Sequence, residues 1–141
     1  MENRRVVFDT NWYVSASINR HSRRRLYNLL IRSDLTIFYC DELIAEFRRV
    51  MTRSKFRKYI RANQYNRFLR LVISRLHYIE LNQSSLLQSR DPKDNYLLAL
   101  SAETGAHFLV TGDPDLLVLQ KIGATQIMTM AEFLAKLSEA S

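Results

Sequence analysis

The apolar positions of this chain fall into short runs separated by longer stretches with a helical period. Val6-Val7-Phe8 has no polar face and is too short for a helix, so it predicts a fully buried strand. Leu35–Tyr39 is β-branched and aromatic and predicts a second strand. Tyr78–Leu81, Phe108–Val110 and Gln126–Met128 predict a third, a fourth and a fifth. Between them, Ser22 is placed to cap a helix running to about residue 33, with Leu26, Leu29 and Leu30 on one face. A helix from Asp41 buries Leu43, Ile44, Phe47, Val50 and Met51, and Phe56, Tyr59 and Ile60 suit another short one. Tyr65, Phe68, Leu69, Val72, Ile73 and Leu76 keep the i, i+3, i+4 spacing of an amphipathic helix. Asp91-Pro92-Lys93-Asp94 is a helix start, with Asp91 as N-cap, Pro92 at the first helical position and Asp94 two residues on. The helix it opens, from Asn95 to about Glu103, is apolar almost all round and is expected to be buried, ending at Gly105. Asp115–Lys121 and Ala131–Leu137 predict two last helices.

Short apolar strands alternating with helices predict an α/β domain whose parallel sheet is covered on both faces. The 141 residues suit a single domain, 1–141. Three glycines and two prolines leave no room for a linker, a G-x-G-x-x-G turn or a phosphate-cradling loop. Cys40 is the only cysteine, which excludes an intrachain disulfide and reads as a buried structural thiol. His21, His77 and His107 lack the spacing of a zinc site. No apolar run approaches the roughly 18 residues that span a bilayer, and Val6–Phe8 is too short for a signal-peptide core. The expectation is a cytoplasmic protein with no membrane association.

Charge adds a partner to this picture. The formal net charge is +7, and residues 20–75 alone carry 15 Lys/Arg against 4 Asp/Glu. Arg outnumbers Lys 16 to 5, which favours planar recognition of phosphate. Tyr27, Phe47, Phe56, Tyr59, Tyr65 and Phe68 are interleaved with the basic residues, so the stretch reads as a polyanion-binding face, most simply for nucleic acid. Arg23, Arg24, Arg25, Arg53, Lys55, Arg57 and Lys58 are its candidate contacts.

The acids supply candidate chemistry. Ligands of a parallel sheet bind beyond the carboxyl ends of its strands. Asp9 directly follows the first strand, and Asp113 follows the fourth through Thr111-Gly112. Either alone suits a loop cap; together, on strands that can be neighbours, they favour a cation. Asp91 suffices as the cap of its helix, which leaves Asp94 to face the site. Glu46 lies about 40° beyond the apolar arc of its helix, along the rim of the sheet, although an i, i+3 pair with Arg49 also accounts for it. Four converging carboxylates suit Mg²⁺ or Mn²⁺. Beside an arginine-rich face, the chemistry they fit is phosphodiester hydrolysis. Asn11 and Thr111 are placed to orient the carboxylates from behind.

Val6-Val7-Phe8-Asp9-Thr10-Asn11, a helical Glu46, Asp91-Pro92-Lys93-Asp94-Asn95 and Val110-Thr111-Gly112-Asp113-Pro114-Asp115-Leu116-Leu117, in this order, resemble a PIN domain over essentially the whole chain. The likeness is greatest to the toxin components of toxin–antitoxin pairs. It implies a three-layer α/β domain around a five-stranded parallel sheet of order 3-2-1-4-5. It also implies Mg²⁺- or Mn²⁺-dependent endonuclease action on single-stranded RNA. The resemblance assigns Asp9, Glu46, Asp94 and Asp113 as the catalytic and metal-binding quartet, with Asp115 as an outer ligand. It implies a homodimer and a small antitoxin partner as well. Trp12-Tyr13 departs from the small aliphatic pair common after D-T-N, which leaves the quartet intact but bears on the substrate groove.

Three other readings compete. A haloacid-dehalogenase-type phosphatase needs an acid two residues after its nucleophile, where this chain has Asn11. A receiver-like phosphoacceptor needs paired acids at the first strand and a mid-chain acceptor Asp, and neither is present. A catalytically idle PIN-like module for RNA binding or assembly keeps the fold, and metal-dependent cleavage discriminates it from the enzyme.

Overall fold

The computed structural model describes residues 3–82 and 95–139. Asp91, Pro92, Lys93 and Asp94, and with them the predicted helix cap, lie outside the described residues. The strands are β1 (Arg4–Phe8), β2 (Leu35–Tyr39), β3 (His77–Tyr78), β4 (Phe108–Val110), β5 (Lys121–Ile122) and β6 (Thr125–Met128). The helices are α1 (Thr10–Ile18), α2 (Arg20–Leu30), α3 (Asp41–Met51), α4 (Ser54–Arg57), α5 (Ala62–Ile73), α6 (Asn95–Thr104), α7 (Pro114–Leu117) and α8 (Met130–Glu139).

The sheet order is β3-β2-β1-β4-β6-β5. β1 is central and pairs in parallel with both β2 (Val6 opposite Ile37) and β4 (Phe8 opposite Val110). Side chains alternate across a strand. Val6, Val7 and Phe8 are nonetheless all fully buried, so both faces of β1 are covered. Phe8 meets Tyr13 of α1 and Phe133 of α8 edge-on, which locks these helices over the centre of the sheet.

The five predicted strands stand in the expected order, with β6 in the fifth place. The sixth is a correction. The predicted helix 115–121 stops at Leu117, and Lys121–Ile122 turns back antiparallel on β6. Gly123, at a positive φ of 56°, opens the two-residue connection between Ile122 and Thr125 that such a hairpin requires. β3 is shorter and earlier than Tyr78–Leu81 because it lies at the sheet edge, where both its residues are exposed.

α1 has no counterpart in the sequence prediction. It buries Thr10, Tyr13, Val14, Ala16 and Ser17, a set with no apolar stripe, and its only start signal is the side chain of Asp9. α2 begins before Ser22, because the Asn19 side chain accepts from the Ser22 N–H and supplies the cap. α6 ends as expected at Gly105, whose φ of +59° is the left-handed conformation that closes a helix. α8 starts at a reciprocal cap between Thr129 and Glu132.

Candidate active site

The parallel pairing of β1 with β4 brings the residues that follow these strands side by side. The Asp9 N–H donates to the Val110 carbonyl (2.9 Å), continuing the ladder to the sheet's end. Both oxygens of the buried Asp9 carboxylate are held: Oδ2 accepts from the Thr111 hydroxyl at 2.6 Å, and Oδ1 from the Asn11 N–H at 3.3 Å. Burial pushes the Asp9 carboxyl above its usual range. The Thr111 and Asn11 hydrogen bonds oppose that shift, while the nearby charges of Glu46 and Asp113 add to it.

Asp113 reaches the same end of the sheet through Thr111, whose hydroxyl oxygen accepts from the Asp113 N–H at 3.1 Å. The Asp113 carboxylate caps α7 by accepting from the Asp115 N–H at 2.9 Å. Asp115 is exposed, and its backbone is what joins it to the cluster. Asn11 likewise contributes its backbone, while the residue itself is exposed.

Glu46 projects from α3 and is shared between the two roles the sequence left open. Oε1 lies 3.7 Å from the Arg49 guanidinium, the i, i+3 pair. Oε2 accepts from the Thr10 hydroxyl at 3.3 Å and from the Tyr96 hydroxyl. Tyr96 is 6% exposed, and its hydroxyl also lies 2.5 Å from Thr10 Oγ1. Sequence reasoning missed Tyr96, because it sits in a helix that is apolar nearly all round and reads as core. Thr10 lies within the D-T-N motif, yet nothing in the motif distinguishes a carboxylate partner from a spacer.

Asp9, Glu46 and Asp113 thus stand in one electrostatic neighbourhood, and Asp94 lies outside the described residues. Among the described residues, no three His, Cys, Asp or Glu close on a point that could hold a metal ion. The donor set is nonetheless all carboxylate oxygen, the ligand type of hard divalent cations. A desolvated Asp9 flanked by two like charges is an electrostatic deficit that a cation relieves. The residues present therefore fit such an ion in chemistry.

The basic residues divide by role. The Arg23 guanidinium donates to the carbonyls of Ala16 (2.9 Å) and Ser17 (3.1 Å), closing the end of α1. Arg24 and Arg25 are exposed and line a cleft of about 490 Å³ with His21, Asn28 and Arg32. Arg53, Lys55 and Lys58 are exposed around α4, and the Lys55 ammonium lies 5.1 Å from the Phe56 ring centre. The Arg57 side chain lies outside the described set. Cys40 is buried, with its thiol pushed up to about 12 by desolvation, and is no nucleophile at neutral pH. Among the described residues, no helix is long and apolar enough to cross a membrane.

Residues 5–115 match the family described as the PIN domain. No curated protein matches the chain. Among solved structures, PAE2754 from Pyrobaculum aerophilum is similar over 99% of both chains, at 20% identity and a TM-score of 0.62. VapBC2 from Rickettsia felis, determined bound to a DNA fragment from their promoter, is similar over 87% of this chain and 96% of that one. There the identity is 21% and the TM-score 0.59. At these identities the two structures speak for the fold.

Proposed function

The chain belongs to the PIN domain family, and from that premise we propose that it is a Mg²⁺- or Mn²⁺-dependent endoribonuclease acting on single-stranded RNA. The observation that carries this reading is the buried Asp9 at the end of the central strand. Thr111 orients it, and the charges of Glu46 and Asp113 bear on it. Asp9, Glu46, Asp94 and Asp113 would hold the cation, with Asp115 at the outer edge. When bound, a divalent cation supplies activation of an attacking water and neutralisation of phosphoryl charge.

The chain's own residues do the rest. The Thr111 hydroxyl and the Asn11 N–H favour the charged form of Asp9 against the burial that disfavours it. Thr111 also ties the backbone of Asp113 to that carboxylate, so one hydroxyl bridges the two strand-end acids. Arg24, Arg25, Arg53, Lys55, Arg57 and Lys58 would meet the phosphates of the RNA. Arg23, whose guanidinium closes α1, would support that face.

The motifs' likeness to the toxin branch, and a fold shared with the Rickettsia felis VapBC2 structure, support a role as the toxin of a toxin–antitoxin pair. In that role the protein works as a cytoplasmic homodimer restrained by a small antitoxin. The second reading is an idle PIN-like RNA-binding or assembly module, which keeps the fold without the chemistry.

The test compares labelled single-stranded RNA, double-stranded RNA and single-stranded DNA, each with Mg²⁺, Mn²⁺ or EDTA. Cutting of single-stranded RNA alone, and only with metal, is expected. Binding without cutting under every condition supports the idle module instead.

A further inference from the structure

Glu46 is the one acid among the described site residues that comes from mid-helix rather than from a strand end. A free glutamate side chain samples many rotamers, and fixing it costs conformational entropy. Something must hold Glu46 if it is to serve one geometry. The Arg49 contact is poorly suited to this: it is long, and the Arg49 side chain is 59% exposed, so solvent and salt weaken it.

The buried side of Glu46 is different. Two hydroxyl protons, on Thr10 and Tyr96, face three short contacts among Thr10, Tyr96 and Glu46 Oε2. The two closest contacts are satisfied together when Thr10 donates to Tyr96 and Tyr96 donates to Glu46. Such a chain is cooperative, and the burial of Thr10 and Tyr96 keeps water from their end of it. Packing does not explain the hydroxyl. Tyr96 is followed by buried Leu97, Ala99 and Leu100, where a phenyl ring would fill the same space. A buried hydroxyl is tolerated there only because it has partners.

We infer that Tyr96 is a positioning residue for Glu46: its hydroxyl, backed by Thr10, holds Oε2 and leaves Oε1, which otherwise meets the long, exposed Arg49 contact, as the oxygen to turn toward a cation. The inference deepens the nuclease reading and rests on it. A neutral hydroxyl is suited to this task in a way that a lysine or arginine is not. It fixes the carboxylate without cancelling the negative charge that draws the metal. Tyr96 also links α6, the helix that follows Asp94 in sequence, to α3 and to the start of α1.

The test uses the full chain with Tyr96→Phe. Mn²⁺ affinity is read from the electron paramagnetic resonance signal of the free ion, the metal-free melting temperature is recorded, and RNA cleavage is followed as a function of Mn²⁺. Tyr96→Phe is expected to melt close to wild type, since Thr10 is left near enough to Glu46 to bond it directly. Its Mn²⁺ affinity is expected to fall by roughly 10- to 100-fold, the usual effect of removing a partner that orients a metal ligand. The Mn²⁺ concentration for half-maximal cleavage should rise by the same factor, with the KM for RNA at saturating Mn²⁺ unchanged. Should Tyr96→Phe fail to fold, Thr10→Val breaks the same chain from its other end and is expected to weaken Mn²⁺ binding likewise. If wild type binds Mn²⁺ and cleaves while the variants do so with the same affinity, the role of Tyr96 is overturned and the nuclease reading stands. If wild type neither binds Mn²⁺ nor cleaves, both fall together.

Discussion

The Thr111 hydroxyl donates to Asp9 Oδ2 at 2.6 Å, joining the ends of two neighbouring strands through residues 102 apart in sequence. The same oxygen of Thr111 accepts from the Asp113 N–H, so one side chain sets the positions of both strand-end acids. Thr111→Val removes the donor and the acceptor while keeping the shape. We expect it to lower metal affinity by roughly 10- to 100-fold and cleavage at limiting metal in proportion, whereas Thr111→Ser retains both. Metal titrations of the two variants check this; equal losses in both would mean that packing, not the hydroxyl, matters.

Asp9 carries a stability cost that the metal-free protein bears. Its carboxyl is raised above its ordinary 3.8, chiefly by burial, so the native state binds the proton more tightly than the unfolded chain. The resulting penalty is absent below about pH 3.8, grows as pH rises through the native value, and persists at neutral pH. Asp9→Asn removes that titration. In EDTA the variant is therefore expected to melt above wild type at pH 7 and to lose the advantage toward pH 4. Mn²⁺ should raise the melting temperature of wild type more than that of the variant. Thermal melts across that pH range decide it, and an unchanged difference at every pH would contradict the account.

Tyr13 lies in the core of α1, with a hydroxyl that makes no hydrogen bond and a titration pushed far upward by burial. Leaving a buried polar group unpaired costs about 1–3 kcal/mol. Tyr13→Phe deletes the orphan atom without opening a cavity on its ring face, and is expected to stabilise the fold by about 1 kcal/mol. Denaturant unfolding of the two proteins measures this; destabilisation would show that the hydroxyl has a partner in solution.

Arg24 and Arg25 are exposed on the rim of the α2 cleft, where the Arg25 guanidinium lies 3.2 Å from His21 Nε2, whereas Arg23 is tied to α1. Replacing both with Gln is expected to weaken RNA binding in EDTA uniformly across sequences. If both side chains touch phosphate, the slope of log affinity against log salt becomes shallower by about 1.4. An unchanged slope would move the RNA path to the basic residues around α4.

Much of the fold was legible because burial on both faces writes a strand as an unbroken apolar run, as in Val6–Phe8 and Phe108–Val110. Residues 121–122 escaped because two residues have no period, and the only mark of their hairpin is Gly123. α1 escaped because its buried set mixes Thr10, Ser17 and Ala16 with Tyr13, which leaves no stripe to read. The strand-end acids Asp9 and Asp113 were legible for a physical reason: an acid at or just beyond the end of a buried run must be partnered. Glu46 was legible from its angle beyond the apolar arc, but its partners were not. Tyr96 is hidden by the apolar helix around it, and only the fold brings its hydroxyl to an acid 50 residues away.

The most direct test of the nuclease account is a paired measurement of binding and cleavage. Wild type and Asp9→Asn are incubated with labelled single-stranded RNA, with Mn²⁺ and with EDTA, and retention and cutting are followed together. The account predicts that both proteins bind, that wild type cuts only with Mn²⁺, and that Asp9→Asn does not cut. Cutting that persists in EDTA or in Asp9→Asn, or equal binding by both proteins with no cutting of any of several RNAs, would contradict it.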